Sequence, residues 1–103
     1  MTEKSPLPAM ENMTDVRNQV DRIDAELIAL LKDRFACMDA ASRIKQDREA
    51  VRDEERKASV INNAKSRAAE AGIPVPTIAA IWELLVETSI SYELNKWDAL
   101  KSD

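Results

Sequence analysis

Residues 14 to about 45 carry a regular apolar pattern, and this pattern constrains the fold more than any other feature of the chain. The apolar positions recur at spacings of three and four, which is typical of one face of an α-helix. They are Val16, Val20, Ile23, Leu27, Leu30, Leu31, Met38 and Ala41. Thr14 or Asp15 is the expected N-cap. A helix of ~32 residues is ~48 Å long and must lie against something else for most of its length.

A second and a third helix follow. The second is predicted from about Asp53 to Ala71, with Asp53 as a plausible N-cap and Gly72 as its stop signal. Its buried face is Ile61, Ala64, Ala68 and Ala71. The third is predicted from Thr77 to about Leu100, and its buried face reads Ile78, Ile81, Trp82, Leu85, Ser89, Tyr92 and Trp97. Residues 1–13, with Pro6 and Pro8, are predicted to be a disordered tail before one helical domain at 14–100.

Composition narrows the function. The chain has 103 residues, one Gly, one Cys and no His, which allows one domain and disfavours β folds, Rossmann folds and P-loops. Zinc sites, His-based triads and disulfide scaffolds are excluded, so no metal or cofactor is expected. A net charge of -4 gives no general attraction to nucleic acid. Without a membrane-spanning stretch or a secretory signal, we expect a cytoplasmic protein.

Two cations interrupt the apolar stripe of the first helix. Arg34 and Lys45 stand where apolar residues belong, and at about 100° per residue they share a face. Their axial separation is ~16 Å, which two long side chains can narrow toward one anionic ligand. The alternative is that both side chains extend from the helix edge into water.

Polar residues interrupt the third helix in the same way. Ser89 and Glu93 lie on the stripe of Trp82 and Leu85, so the Glu93 carboxyl lies either in water at the edge or in a polar pocket lined by cations. Arg17 lies ~25 Å along the first helix from Arg34. Arg17 is therefore either a solvated surface residue or a residue that acts in a site of another chain.

The start of the second helix is a further candidate. Asp53 is explained by capping alone, but Arg56 in the first turn opposes the helix dipole, and a bound anion would explain it. Cys37 is interpreted as a small buried or half-buried residue and not as a nucleophile. The aromatic side chains of Trp82, Tyr92 and Trp97 are interpreted as packing residues.

The ordered set of these residues resembles the all-helical chorismate mutase family, including its isochorismate-pyruvate lyase branch. The resemblance covers about Asp15 to Trp97 and is carried by the segments VRNQVDRIDAELIALLKDR, ASRIKQ, VRDEERK and ETSISYE. It implies an all-α fold with three helices per chain, one of them very long, in an intertwined homodimeric helical bundle. It also implies that each active site takes one arginine from the partner chain.

The resemblance assigns a role to each candidate residue. Arg17 matches the arginine contributed in trans, while Arg34 and Lys45 match the cations that hold the substrate carboxylates and, for the lysine, the ether oxygen. Asp53 and Arg56 match positions that close over the ligand, and Ser89 matches a polar contact to a carboxylate.

Glu93 stands where many members carry a Gln that donates to the ether oxygen. The implied substrate is chorismate, a small dicarboxylate, and the implied product is prephenate, in aromatic amino-acid biosynthesis.

Two departures from the family pattern bear on the activity. Lys57 stands where many mutases carry a Glu that binds the substrate hydroxyl, which leaves Asp53 for that contact. Glu93 can replace Gln as a donor only when it is protonated. Asp53 together with Glu93 favours the mutase over the lyase that gives salicylate and pyruvate. A 4-amino-4-deoxychorismate mutase and a non-catalytic helical dimerisation module remain open alternatives.

Overall fold

The computed structural model describes residues 7–102, and this part of the chain is all-α. It contains α1 (Met13–Ile44), α2 (Glu54–Ala71) and α3 (Val75–Lys101). A short 3-10 helix (Arg48–Ala50) lies in the connection between α1 and α2. The three predicted helices, one of them very long, are therefore confirmed. Among residues 7–102, none of the helices combines the length and the apolar character that a bilayer crossing requires.

The chain divides into two units within α1, with the boundary between Arg34 and Phe35. In the first unit, α1 begins one residue earlier than Thr14. Its cap is Asn12, whose side-chain Oδ1 accepts a hydrogen bond from the Asp15 amide at 2.9 Å, so the prediction of Thr14 or Asp15 as the N-cap was wrong. The Asp15 carboxylate in turn accepts from the Glu11 amide at 3.1 Å, which satisfies a further donor at this helix start.

The apolar side chains along α1 in the first unit are half-buried or exposed in the single chain. Leu27, Ile28 and Leu30 are 51%, 66% and 63% exposed, and Val20 is exposed as well. Exposed leucine and isoleucine side chains lose the free energy that burial provides, about 1.5–3 kcal/mol each. The first part of α1 therefore presents an uncovered apolar surface.

The second unit has a small core built mainly by α3. Val51, Val86 and Ile90 form its buried cluster, and partly buried side chains pack against it: Val60, Ile61, Trp82, Leu94 and Trp97. α2 packs along α3, and its buried residues are the small Ala64 and Ala68. The interpretation of Trp82 and Trp97 as packing residues is confirmed.

The ends of α2 follow the predicted signals, whereas the start of α3 does not. Asp53 caps α2 by accepting from the Arg56 amide at 3.0 Å, and Gly72 ends it in the left-handed conformation with φ 72°. α3 begins at Val75 instead of Thr77, because Pro76 falls within its first turn, where a proline needs no hydrogen-bond donor. The predicted boundary at Thr77 was therefore two residues late.

Several predicted burials are also corrected. Ile81 is 48% exposed, and Ala71 at the last turn of α2 is exposed. Val86 and Ile90, which the predicted face omitted, are buried as well. The predicted positions other than Ile81 are buried or half-buried, so the buried face of α3 is wider than the predicted stripe. Cys37 is exposed, contrary to its interpretation as a buried or half-buried residue.

Candidate functional site

Lys45 is the first residue after α1, and the chain holds it at three points. Its amide donates to the Ala41 carbonyl at 2.9 Å, which continues the helical hydrogen-bond pattern. Its own carbonyl accepts from the indole Nε1 of Trp97 at 3.0 Å. Its ammonium Nζ lies 2.8 Å from Oε2 of Glu93. Both the backbone and the side chain of Lys45 are thus fixed to α3.

Glu93 is a buried carboxylate in the middle of an apolar helix face. The residue is 4% exposed, as is Ser89 one helical turn before it. Apart from the ion pair with Lys45, Oε2 of Glu93 has no hydrogen-bond partner in the part of the chain that the structure describes. Burying a carboxylate is costly unless it is paired, so the Lys45 ammonium is what stabilises Glu93 in this position.

The Lys45–Glu93 pair has capacity for a ligand. An ammonium carries three N–H donors, and the Lys45 side chain is 30% exposed, against 5% for that of Glu93. The pair therefore presents its cationic end toward solvent and its anionic end toward the core. The Ser89 hydroxyl donates to the Leu85 carbonyl at 2.7 Å, so its oxygen is oriented by its own helix.

The connection between α1 and α2 is tied to α3 by two bidentate ion pairs. Arg48 donates to both carboxylate oxygens of Asp98, at 2.8 and 3.1 Å. Arg52 donates to both carboxylate oxygens of Glu87, at 2.8 and 3.1 Å. Val51 lies between these arginines in sequence and is 4% exposed. The segment that follows Lys45 is thus anchored by two charged contacts and one apolar contact.

Lys57 contacts two carboxylates of α3. Its ammonium lies 2.7 Å from Glu83 and 2.7 Å from Glu87. The Lys57 ammonium donates hydrogen bonds to Glu83 and to Glu87, and these bonds raise the pKa of Lys57, with Glu83 contributing most. Hydrogen bonds from Arg52 and then Lys57 lower the pKa of Glu87 to about 2. Lys57 therefore links α2 to α3.

A second polar contact lies at the α1–α3 interface within the second unit. The Tyr92 hydroxyl donates to Asp39 at 2.8 Å, and this hydrogen bond raises the pKa of Tyr92. The Tyr92 ring packs against Phe35 with ring centroids 5.0 Å apart. The contact holds the last turns of α1 against α3 and so helps to fix the position of Lys45.

The other predicted site residues take simpler positions. Asp53 and Arg56 are joined in the capping interaction of α2, and both are exposed. Arg34 is half-buried and Arg17 is exposed, both in the part of α1 that belongs to the first unit. Within residues 7–102, no group of three or more His, Cys, Asp or Glu side chains is arranged to hold a metal ion.

Sequence reasoning missed the residues that hold the site in place. Trp97 was interpreted as a packing residue only, and its hydrogen bond to Lys45 was not foreseen. The Arg48–Asp98 and Arg52–Glu87 pairs were missed as well. The sequence contained one signal for the contact between Trp97 and Lys45. Trp97 lies four residues after Glu93 and therefore on the same face of α3.

These features define an all-helical protein in which a half-exposed lysine pairs with a buried carboxylate between two helices. The family model for chorismate mutase type II matches residues 16–94, and the chain belongs to this family. The chain is also similar to an isochorismate pyruvate lyase of Pseudomonas aeruginosa, with 27% identity over 85 residues. That match covers 82% of this chain and 84% of the relative. Both comparisons place the protein among enzymes of the chorismate-metabolising kind.

Proposed function

We propose that this protein is a chorismate mutase that converts chorismate to prephenate. The observation that carries the proposal is the Lys45–Glu93 pair, with an ammonium 2.8 Å from a buried carboxylate on α3. Within a chorismate mutase family member, these two side chains stand at the positions expected to bind the ether oxygen of the substrate.

The reaction suits such a site. The rearrangement is unimolecular: the ether C–O bond breaks as a C–C bond forms, and the same molecule keeps every atom. It requires no nucleophile, so the protein contributes by holding the compact conformer and by stabilising the charge that develops on the ether oxygen. We assign that stabilisation to the N–H donors of Lys45 that Glu93 does not occupy.

Glu93 becomes the second donor when it takes up a proton. In the ion pair with Lys45 it acts as an acceptor, and an ionised carboxylate has no proton to donate. The neutral carboxyl then donates to the ether oxygen, as the amide of a Gln would.

The remaining candidates are assigned to the substrate carboxylates and hydroxyl. Arg34 and the partner's Arg17 grip the carboxylates, and Ser89 adds a polar contact. Asp53 binds the ring hydroxyl and Arg56 closes over the ligand. This assignment of Asp53 is supported by the engagement of Lys57 with Glu83 and Glu87.

We further propose an intertwined homodimer in which α1 packs against the α1 of the second chain. The exposed apolar side chains of Leu27, Ile28 and Leu30 support this proposal, because a second copy would cover them. The contribution of Arg17 in trans follows from the same arrangement, since Arg17 lies near the far end of α1 from Lys45.

The second candidate is isochorismate-pyruvate lyase activity, which the similarity to the Pseudomonas aeruginosa protein favours. The same cationic residues would bind isochorismate. As its ether C–O bond breaks, the hydrogen on the ring carbon that bears the hydroxyl passes to the methylene carbon of the enolpyruvyl group, which leaves as pyruvate, and the ring becomes salicylate. Both reactions need hydrogen-bond donors at the ether oxygen, so the Lys45–Glu93 pair does not distinguish them. A test with each substrate does.

Incubation of the purified protein with each substrate tests the proposal. We expect chorismate to yield prephenate at a rate far above that of the uncatalysed rearrangement, and isochorismate to yield less salicylate and pyruvate per unit time. Preferential production of salicylate would replace the mutase with the lyase. If the protein converts neither substrate, nor 4-amino-4-deoxychorismate, the remaining candidate is the non-catalytic helical dimerisation module.

A further inference from the structure

Trp97 makes a directed contact with the backbone of Lys45. Its indole Nε1 donates to the Lys45 carbonyl at 3.0 Å. Trp97 lies four residues after Glu93, so the two side chains leave the same face of α3 one turn apart. α3 therefore holds Lys45 twice, by the ammonium through Glu93 and by the carbonyl through Trp97.

The backbone contact matters because Lys45 lies where α1 ends. The last carbonyl groups of a helix have no partner within the helix, and α1 ends at Ile44. The lysine side chain has several freely rotating bonds, so the position of its ammonium depends on a fixed backbone. The Trp97 indole supplies the hydrogen bond that a further turn of helix would have supplied.

The adjacent residue strengthens this anchor. Asp98 follows Trp97 and holds Arg48, three residues after Lys45, through two hydrogen bonds. The hydrogen bond from Arg48 lowers the pKa of Asp98, so the pair stays ionised at neutral pH. The chain is thus restrained at Lys45 and again just beyond it, by neighbouring residues of α3.

We infer that Trp97 is a positioning residue for Lys45. It fixes the backbone at the end of α1 so that the ammonium stays beside Glu93 and meets the ether oxygen of the bound substrate. The effect of Trp97 on catalysis rests on the proposed function. Its effect on the position of Lys45 rests on the hydrogen bond alone.

Trp97→Phe removes the indole donor and keeps an aromatic ring, and Trp82→Phe is the matched control. Trp82 packs against the same core cluster as Trp97, but its indole makes no hydrogen bond within residues 7–102. Both variants replace a partly buried indole by the same phenyl ring. A difference between them therefore reports the donor rather than the packing.

The first measurement is the rate at which acetic anhydride acetylates Lys45, read by peptide mass spectrometry relative to exposed Lys65. It does not depend on any activity. We expect a severalfold faster reaction in Trp97→Phe, because a loosened backbone lets the amine leave Glu93, and no change in Trp82→Phe. Equal rates in the two variants would overturn the inference even if the wild type proves to be a mutase.

The second measurement is steady-state turnover of chorismate at a temperature where both variants are fully folded. We expect kcat of Trp97→Phe to fall about tenfold, since a small displacement of a catalytic group has effects of this order, with a smaller change in KM. If acetylation of Lys45 accelerates but kcat matches that of Trp82→Phe, Trp97 fixes the backbone without serving catalysis, and the inference is wrong.

An isosteric replacement separates the donor from ring size. In the Trp82→Phe background, Trp97 is the remaining tryptophan, and biosynthetic incorporation of 3-benzothienylalanine exchanges its N–H for sulfur. We expect this protein to behave as Trp97→Phe does in both measurements. Wild-type behaviour would show that ring shape, and not the hydrogen bond to Lys45, is what matters.

Discussion

Lys45 and Glu93 illustrate how a buried charge is tolerated at the scale of single residues. Glu93 is 4% exposed, and removing its cationic partner would leave an uncompensated charge, at a cost of about 3–5 kcal/mol. Lys45 is therefore required for stability as well as for the proposed chemistry. Substitutions of Lys45 must be interpreted against that structural cost.

The protonation of Glu93 gives the first prediction. We expect kcat/KM for chorismate to fall as pH rises, because the neutral acid that donates to the ether oxygen is converted to a carboxylate that cannot. Glu93→Gln keeps a donor at all pH values and should give a flatter profile. The measurement is kcat/KM of both proteins from acidic to alkaline pH.

Glu83→Gln is the matched control, since Glu83 lies on the same helix and also contacts a lysine, Lys57. Its pH profile should follow that of the wild type. If Glu93→Gln and the wild type give superimposable profiles, Glu93 does not act as a protonated donor.

At the scale of elements, α2 is joined to α3 by charge as well as by packing. Glu87 accepts hydrogen bonds from Arg52, in the connection, and from Lys57, on α2. Its pKa falls from an ordinary 4.5 to about 2. A carboxylate whose pKa is lower in the folded state than in the unfolded state stabilises the fold at pH values above its unfolded-state pKa. This stabilisation is lost as the pH falls through its folded-state pKa.

The second prediction follows from that sign. We expect Glu87→Gln to lower the free energy of unfolding at neutral pH, and we expect its deficit relative to the wild type to shrink as pH falls from about 4.5 to about 2. Urea unfolding followed by circular dichroism measures the deficit. Glu70→Gln, at an exposed position of α2, should show no such trend; a Glu87→Gln deficit that stays constant with pH would contradict the account.

The sequence predicted elements whose signals are local. The cap at Asp53 and the left-handed stop at Gly72 depend on neighbouring residues only, and both predictions are confirmed. The start of α3 was wrong because a proline is compatible with both the first turn and the residues before it. Val86 and Ile90 were missed because the buried face of α3 depends on where α2 and the α1–α2 connection pack.

The candidate site was predictable in its charges but not in its contacts. Polar residues on apolar stripes singled out Lys45, Ser89 and Glu93, because burial of such groups is costly and needs a reason. The partners of Lys45, which are Glu93 and Trp97, come from positions about 50 residues away in the sequence. No local pattern specifies such a pairing, so the anchoring role of α3 required the structure.

At the scale of the whole molecule, the first part of α1 leaves large apolar side chains uncovered. Its leucines and isoleucines would be expected in a core, yet Leu27, Ile28 and Leu30 are more than half exposed. The proposed homodimer accounts for this exposure, because the second chain would cover these side chains. Oligomeric state and catalysis are thus linked in the proposal.

The third prediction tests that link by mixing two inactive variants. Arg17→Ala and Arg34→Ala should each lose about 100-fold or more in kcat/KM. Refolded together at equal amounts, they should regain about a quarter of wild-type activity, because half of the dimers in a two-fold symmetric assembly are mixed and each holds one intact site. Absence of recovery in verified mixed dimers would place both arginines in one chain's site or outside it.

The central claim is that the Lys45 ammonium stabilises the charge that develops on the substrate's ether oxygen. The direct measurement compares kcat/KM for chorismate in Glu93→Gln with that in the double variant Lys45→Met/Glu93→Gln, where no unpaired carboxylate remains to unfold the protein. We predict a further loss of about 100-fold or more in the double variant. Equal values in two folded proteins would contradict the account.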